Sequence, residues 1–80
     1  MQAHVYITLK PGLLDAAGKT IQDALQSLGF QGVKDVRVGK LIEIELNHAK
    51  TSSAKRDLER MCQKLLANPV VETYRIEIKR

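Results

Sequence analysis

The segment DVRVGKLIEIEL, residues 35–46, constrains the fold more than any other part of the chain. Five of its six apolar residues fall on even positions, Val36, Val38, Ile42, Ile44 and Leu46, and Leu41 is the exception. The two-residue period of a β-strand therefore continues through Gly39-Lys40 without a slip. A two-residue hairpin loop at 39–40 would set Val36 opposite Glu43 and put a charge on the buried face.

Two arrangements keep this phase, and the sequence leaves both open. One is a hairpin with a three-residue loop, Gly39 to Leu41, and a bulge, which gives a βαββαβ domain. The other is one long strand bent at Gly39, which gives βαβαβ. Its far half would project beyond the domain and be available to a partner chain.

The elements on either side are predicted from their spacing and from their end signals. Residues 3–9 alternate as a half-buried strand, and KPG at 10–12 ends it. Asp15 is the predicted N-cap of a first helix, and Gly29 ends that helix in a left-handed conformation. Its apolar stripe comprises Leu14, Ala17, Ile21, Ala24, Leu25 and Leu28.

A second helix should begin at a cap supplied by Ser52 or Ser53, and Pro69 should end it near Ala67. Its apolar positions follow helical spacing: Ala54, Leu58, Met61, Cys62, Leu65 and Leu66. We expect both Leu65 and Leu66 in the core. Residues 70–79 form the last strand, with three inward residues, Tyr74, Ile76 and Ile78.

These elements predict one α+β domain over residues 1–80: a ferredoxin-like two-layer sandwich with two helices on one face of a largely antiparallel sheet. A chain of 80 residues buries only about 60 % of its unfolded surface, so its core is marginal and association is a natural remedy. We expect the subunit contact within residues 35–46, and specifically at Arg37, Val38, Gly39, Lys40 and Ile42.

No catalytic, cofactor-binding or metal-binding residue is predicted. Cys62 lies on an apolar stripe, where a buried structural thiol is expected rather than a nucleophile. His4 and His48 are far apart, without a carboxylate cluster around them. No apolar stretch reaches the length of a membrane span, and the first ten residues lack the plan of a signal peptide, so a cytoplasmic location is expected.

Two surfaces are candidates for contact with other proteins. Arg56, Arg60 and Lys64 form a basic stripe on the second helix, either a solvated face or a docking site. The uncovered sheet face is mixed, with His4, Tyr6, Thr8, Arg37, Leu41, Glu43, Glu45, Thr73 and Arg75. Only Tyr6 could stack a base there, so RNA is not the expected partner.

Four stretches, VYITLKPGLLD, ALQSLGF, VKDVRVGKLIEIEL and MCQKLLANPVVETYRIEI, resemble the PurS family, the small subunits of phosphoribosylformylglycinamidine (FGAM) synthase. The resemblance covers essentially the whole chain in order. Residues 37–40 (RVGK) and 65–69 (LLANP) are its most specific pieces. The family often has Asp-Pro-Gln-Gly at positions 15–18 and an acidic residue at position 73, where this chain has DAAG and Thr73.

The resemblance implies a non-catalytic scaffold, either a dimer or a tetramer, in a purine-biosynthetic ligase. That complex converts formylglycinamide ribonucleotide (FGAR) to FGAM and uses ATP, Mg and glutamine. We expect that none of these three binds to this chain. The scaffold would bridge the synthetase and glutaminase subunits and aid ammonia transfer, without nucleic-acid or membrane partners. The alternative is a stand-alone ACT-like regulatory domain that binds a small ligand near the loop KPGLLDAAG.

Overall fold

A computed structural model describes residues 1–79 and confirms the α+β class. The elements are β1 (Gln2–Leu9), α1 (Ala16–Ser27), β2 (Gly39–Glu45), α2 (Thr51–Met61), a π-helical turn (Cys62–Leu66) that continues α2, and β3 (Glu72–Lys79). The three strands form one antiparallel sheet in the order β2-β1-β3. No helix within residues 1–79 is long and apolar enough to cross a membrane.

The core lies between the central strand and α2. The alternating residues Ala3, Val5 and Ile7 of β1 point to one face and are almost completely buried. Ala54, Leu58 and Cys62 of the helical layer cover them, and β2 and β3 complete the rim with half-buried residues. Burying a side chain the size of valine or leucine stabilises the fold by about 1.5–3 kcal/mol, so this small cluster is the main apolar contribution.

The hairpin interpretation of residues 35–46 is wrong, because the proposed loop lies inside a strand. Gly39, Lys40 and Leu41 pair with Thr8, Ile7 and Tyr6 of β1 in the order given. The chain therefore follows the βαβαβ order. β2 starts at Gly39, opposite Thr8, and β1 ends one residue later at Leu9, so the residues before Val38 have no further residue of β1 to pair with. Residues 33–38 leave the sheet without regular secondary structure.

The first helix differs from the expectation of a two-helix layer. Only α2 and the π-helical turn pack on the sheet, while Leu14 and Leu28 of the predicted apolar stripe are 82 % and 73 % exposed. The described chain is correspondingly elongated, with extents of 49 × 27 × 14 Å and a radius of gyration of 16.0 Å. A compact domain of this length would have about 12 Å. Residues 13–38, which include α1, thus form a projecting arm.

The ends of α1 were predicted correctly. Asp15 is its N-cap, with the side chain accepting a hydrogen bond from the Gly18 amide. The helix closes at Leu28, and Gly29 follows with φ of 103°. That conformation favours glycine, because a Cβ atom would be strained there.

The N-cap of α2 and the hydrogen-bonding pattern at its C-terminal end differ from prediction. Lys50 occupies the N-cap position and makes no side-chain capping bond, so neither Ser52 nor Ser53 caps the helix. At the other end the Ala67 amide donates to the Cys62 carbonyl at 3.1 Å, one residue further back than in an α-helix.

This wider turn rotates successive side chains by a smaller angle than an α-helix does. Leu66 therefore packs against the core, while Leu65, predicted to be buried, is 82 % exposed. The helix stops near Ala67, as predicted from Pro69. In β3, Tyr74, Ile76 and Ile78 are partly buried against the core.

Candidate interaction surface

The arm is held together by the carboxylate of Asp15. Its two oxygens accept hydrogen bonds from the Gly18 amide at 2.8 Å and from the Val38 amide at 2.7 Å. The Val38 bond, then the Gly18 bond, and then the charge of Arg37 lower the pKa of Asp15, against an opposing effect of burial. One side chain thus joins the start of α1 to the start of β2 across 23 residues of sequence.

Residues 33–38 return along α1 rather than along the sheet. The amide side chains of Gln26 and Gln22 donate to the carbonyls of Val33 and Lys34 at 3.0 and 3.3 Å. Gly18 permits the closest approach, because a Cβ atom at that position would overlap the carbonyl oxygen of Val36. Glycine here serves a close backbone approach, and not a turn.

The outer side of the arm is apolar and exposed. Its large apolar residues with substantial exposure are Leu13, Leu14, Ile21, Leu28, Phe30 and Val38. The backbone amides of residues 34–37 also donate no hydrogen bond within residues 1–79. An apolar face beside an unpaired stretch of backbone is a template for pairing with another chain.

The structure gathers most of the predicted contact residues at the junction between the arm and the sheet. Arg37 donates to the Leu13 carbonyl at 3.2 Å, so it belongs to the arm and not to the sheet face where it was predicted. Val38 and Gly39 follow, and the Lys40 ammonium lies 3.8 Å from Glu72. Ile42 is separate, because it packs against the core from within β2. Their contact with a partner stays a prediction.

The uncovered sheet face is mixed, as its sequence indicated: most of its residues are polar, and Leu41 is an exposed apolar one. The Arg75 guanidinium lies over the Tyr6 ring at 4.2 Å from its centroid, a cation–π geometry. His4 stands 3.8 Å from Glu43, and the hydroxyls of Thr8 and Thr73 are 3.3 Å apart. Each of these contacts joins side chains of neighbouring strands.

A second exposed feature lies on α2 and the π-helical turn. An open groove of about 430 Å³ is lined by Asp57, Arg60, Met61, Lys64, Leu65 and Leu66. Two of the three residues of the predicted basic stripe, Arg60 and Lys64, line it, and Arg56 is exposed one turn earlier. Helical spacing placed Leu65 in the core, so the sequence carried no signal for its part in this groove.

Cys62 occupies the structural position that was predicted for it. The side chain is fully buried, and burial together with the nearby Glu59 charge raises the pKa of its thiol. Glu59 is itself engaged, since the Tyr74 hydroxyl donates to it at 2.6 Å, which raises the pKa of Tyr74. Reactive cysteines sit in exposed, electropositive places, so this arrangement suits packing and not nucleophilic attack. Residues 1–79 contain no cluster of three potential metal ligands.

Comparisons with known proteins agree over nearly the whole chain. A family model described as "PurS: Phosphoribosylformylglycinamidine (FGAM) synthase" matches residues 2–80. The PurS subunit of this synthase from Synechocystis is 47% identical over 92% of the chain and 74% of that protein. The corresponding subunit from Bacillus subtilis is 42% identical over 94% of the chain and 88% of that protein.

Solved structures are similar in fold as well. The crystal structure of Methanocaldococcus jannaschii PurS, a subunit of formylglycinamide ribonucleotide amidotransferase, superposes with a TM-score of 0.91 at 44% identity, covering 99% of the chain and 95% of that structure. A chain in the PurLQS structure from Thermotoga maritima gives a TM-score of 0.88 at 29% identity, covering 95% and 93%.

Proposed function

Because the chain belongs to the PurS family of FGAM synthase, we propose that it is the non-catalytic scaffold subunit of that purine-biosynthetic ligase. In this role it binds the synthetase and the glutaminase subunits at once and holds them in register. The similar chain in a PurLQS structure supports assembly with large subunits. The observation that carries the proposal is the arm, whose exposed apolar side chains are suited to contact and to no chemistry.

The chemistry of the complex is assigned to its other subunits. Glutamine hydrolysis calls for an activated nucleophile, and the one thiol of this chain is buried in the core with a raised pKa. ATP, Mg and glutamine are used by the complex in the cytoplasm, and none of them is assigned a site on this chain. Ammonia released on the glutaminase passes to the synthetase, and the scaffold aids this transfer by fixing the distance between the two.

Self-association is a second part of the proposal. The exposed side of α1 and the unpaired amides of residues 34–37 supply both apolar area and backbone hydrogen-bond donors to a second copy of the chain. Pairing of this kind joins two sheets, as in β-augmentation, with side chains giving the specificity. A dimer would cover leucines that now lie in solvent, at about 25 cal/mol for each Å² buried.

Reconstitution with the purified synthetase and glutaminase subunits tests the scaffold function. We expect glutamine-dependent FGAM formation to require this chain, while ammonia-dependent formation by the synthetase does not. Gel filtration with glutamine, nucleotide and substrate varied should show when the three proteins assemble. Equal glutamine-dependent rates with and without the chain would refute the proposal.

One feature favours a second candidate, the ACT-like regulatory domain. A pocket of about 380 Å³ lies beside the first strand–helix loop and is lined by Thr8, Leu9, Pro11, Gly12, Asp35 and Arg37. Opposite charges at Asp35 and Arg37 fit the ammonium and carboxylate of an amino acid. Calorimetry against the twenty amino acids separates the candidates, because a pure scaffold should release no binding heat with any of them.

A further inference from the structure

We propose that the groove on α2 and the π-helical turn binds a short acidic, amphipathic segment of one of the large subunits, with an apolar side chain of that segment seated on Leu65. This inference rests on the proposed function, because it assigns the occupant to a subunit of the complex. It concerns a surface separate from the arm, since α1 and residues 33–38 contribute nothing to the groove lining.

The floor of the groove is apolar and owes its shape to the π-helical turn. Met61, Leu65 and Leu66 line it, and the turn directs Leu65 outward although its neighbour Leu66 packs on the core. An unbroken α-helix would have directed Leu65 toward the core. π-Helical turns recur at functional sites, where they re-aim a side chain at the expense of regular hydrogen bonding.

The rim of the groove carries two cations that form no ion pair within the described part of the chain. Arg60 and Lys64 line it, and neither forms an ion pair with any other part of residues 1–79. The one carboxylate of the lining, Asp57, is already engaged by the His48 Nε2 atom at 2.8 Å. That hydrogen bond, together with the charges of Arg60 and Arg56, lowers the pKa of Asp57. The rim therefore offers two uncommitted cations to a partner, which favours an acidic segment.

Charge also decides between the possible occupants. A second copy that used the same groove would bring Arg60 and Lys64 against their own counterparts, in a chain with a net charge of +4. Single-stranded nucleic acid needs stacking side chains, and the lining contains no aromatic residue. A helix with an apolar anchor flanked by Glu or Asp meets both the floor and the rim, as in helix-in-groove recognition.

The test measures binding of the full chain to each purified large subunit, separately, at low and at high salt. Leu65→Asp and the double variant Arg60→Glu/Lys64→Glu should each weaken binding to one of the two subunits by more than about tenfold. The double variant should also lose most of the salt dependence, since screened cations are its source. Lys55→Glu is the matched control: the residue is exposed on the same helix but outside the groove lining, and we expect a change within about twofold.

Urea denaturation and hydrogen exchange distinguish a loss of binding at the groove from a loss of folding. Because Leu65 is mostly exposed, Leu65→Asp should keep the wild-type urea midpoint, and Leu65→Gln provides an uncharged second variant. Hydrogen exchange in residues 57–66 should slow when the subunit binds. Equal binding by the wild type and both groove variants would overturn the groove assignment and leave the scaffold function standing. Failure of the wild type to bind either subunit would instead overturn the proposed function.

Discussion

Gly18→Ala isolates the packing of the arm from the helical propensity of α1. In an isolated helix this substitution is favourable by about 1 kcal/mol, because glycine loses more backbone entropy than alanine. In the arm the new methyl group would overlap the Val36 carbonyl oxygen and lie 2.9 Å from the Asp15 carboxylate. The two effects therefore have opposite signs, and the structure specifies where each one acts.

The size of the effect of Gly18→Ala on self-association follows from comparing the monomer with the dimer. In the monomer, residues 33–38 can relieve the overlap by moving away from α1 by roughly an ångström, and the gain in propensity remains. A dimer that pairs through residues 33–38 requires them to stay against α1. The overpacking cost of about 1–3 kcal/mol then weakens the free energy of association and should raise the dissociation constant roughly 5- to 150-fold.

Sedimentation velocity over a concentration series measures the dissociation constant, with helicity followed by circular dichroism. Gly32→Ala is the control, since a Cβ atom there would meet nothing within 4 Å. We expect Gly18→Ala to keep or raise helicity while it weakens self-association, and Gly32→Ala to leave association unchanged. Equal dissociation constants for the wild type and Gly18→Ala, or a wild type that stays monomeric throughout, would refute the reasoning.

Leu58→Ala removes a fully buried side chain and should lower the free energy of unfolding, measured by urea titration, by about 2–5 kcal/mol. Leu65→Ala, at an exposed site, should change it by less than about 0.5 kcal/mol. Equal effects of the two substitutions would contradict the outward direction of Leu65 in the π-helical turn. Cys62→Ser should preserve glutamine-dependent turnover of the assembled enzyme and cost roughly 1–3 kcal/mol of stability, because a hydroxyl replaces a thiol in the core; lost turnover in a well-folded complex would make the thiol essential. Gly39→Val should loosen β2 from β1 and speed its amide exchange while α2 stays intact, because a Cβ atom would lie 2.7 Å from a β1 carbonyl oxygen; unchanged exchange would show that the clash is absorbed elsewhere. The lowered pKa of Asp15 means that the native state favours its charged form, so its contribution to stability is complete above the unfolded value of 3.8 and is lost as the pH falls through the native pKa. Asp15→Asn should accordingly flatten the acid limb of the denaturation midpoint, and an unaltered limb would exclude this carboxylate as its source.

The candidate surfaces were only partly predictable from the sequence. Spacing placed Arg60 and Lys64 on one exposed stripe correctly, because the side-chain positions of a helix follow its period. The apolar floor beneath them was missed, because Leu65 leaves the core only through the π-helical turn. Arg37 was assigned to the sheet face, since an unbroken two-residue period could not reveal where pairing stops.

What the sequence determined by itself is local. The alternation of residues 3–9, the Asp15 cap, the Gly29 end of α1 and the stop before Pro69 all appear in the structure. Each depends on groups within a few residues of one another, so periodicity and end signals suffice to predict it. The order of these helices and strands likewise predicted an α+β chain.

The tertiary structure decided which apolar faces are buried within the chain and which are left outside it. β2 begins at Gly39, near the point where β1 ends, and Gly18 lets the residues before Gly39 lie against α1 instead. The stripe of α1 therefore faces outward although its pattern equals that of a core helix. A hydrophobic pattern predicts that a face is buried, but the tertiary structure determines whether it is buried by the same chain or by another.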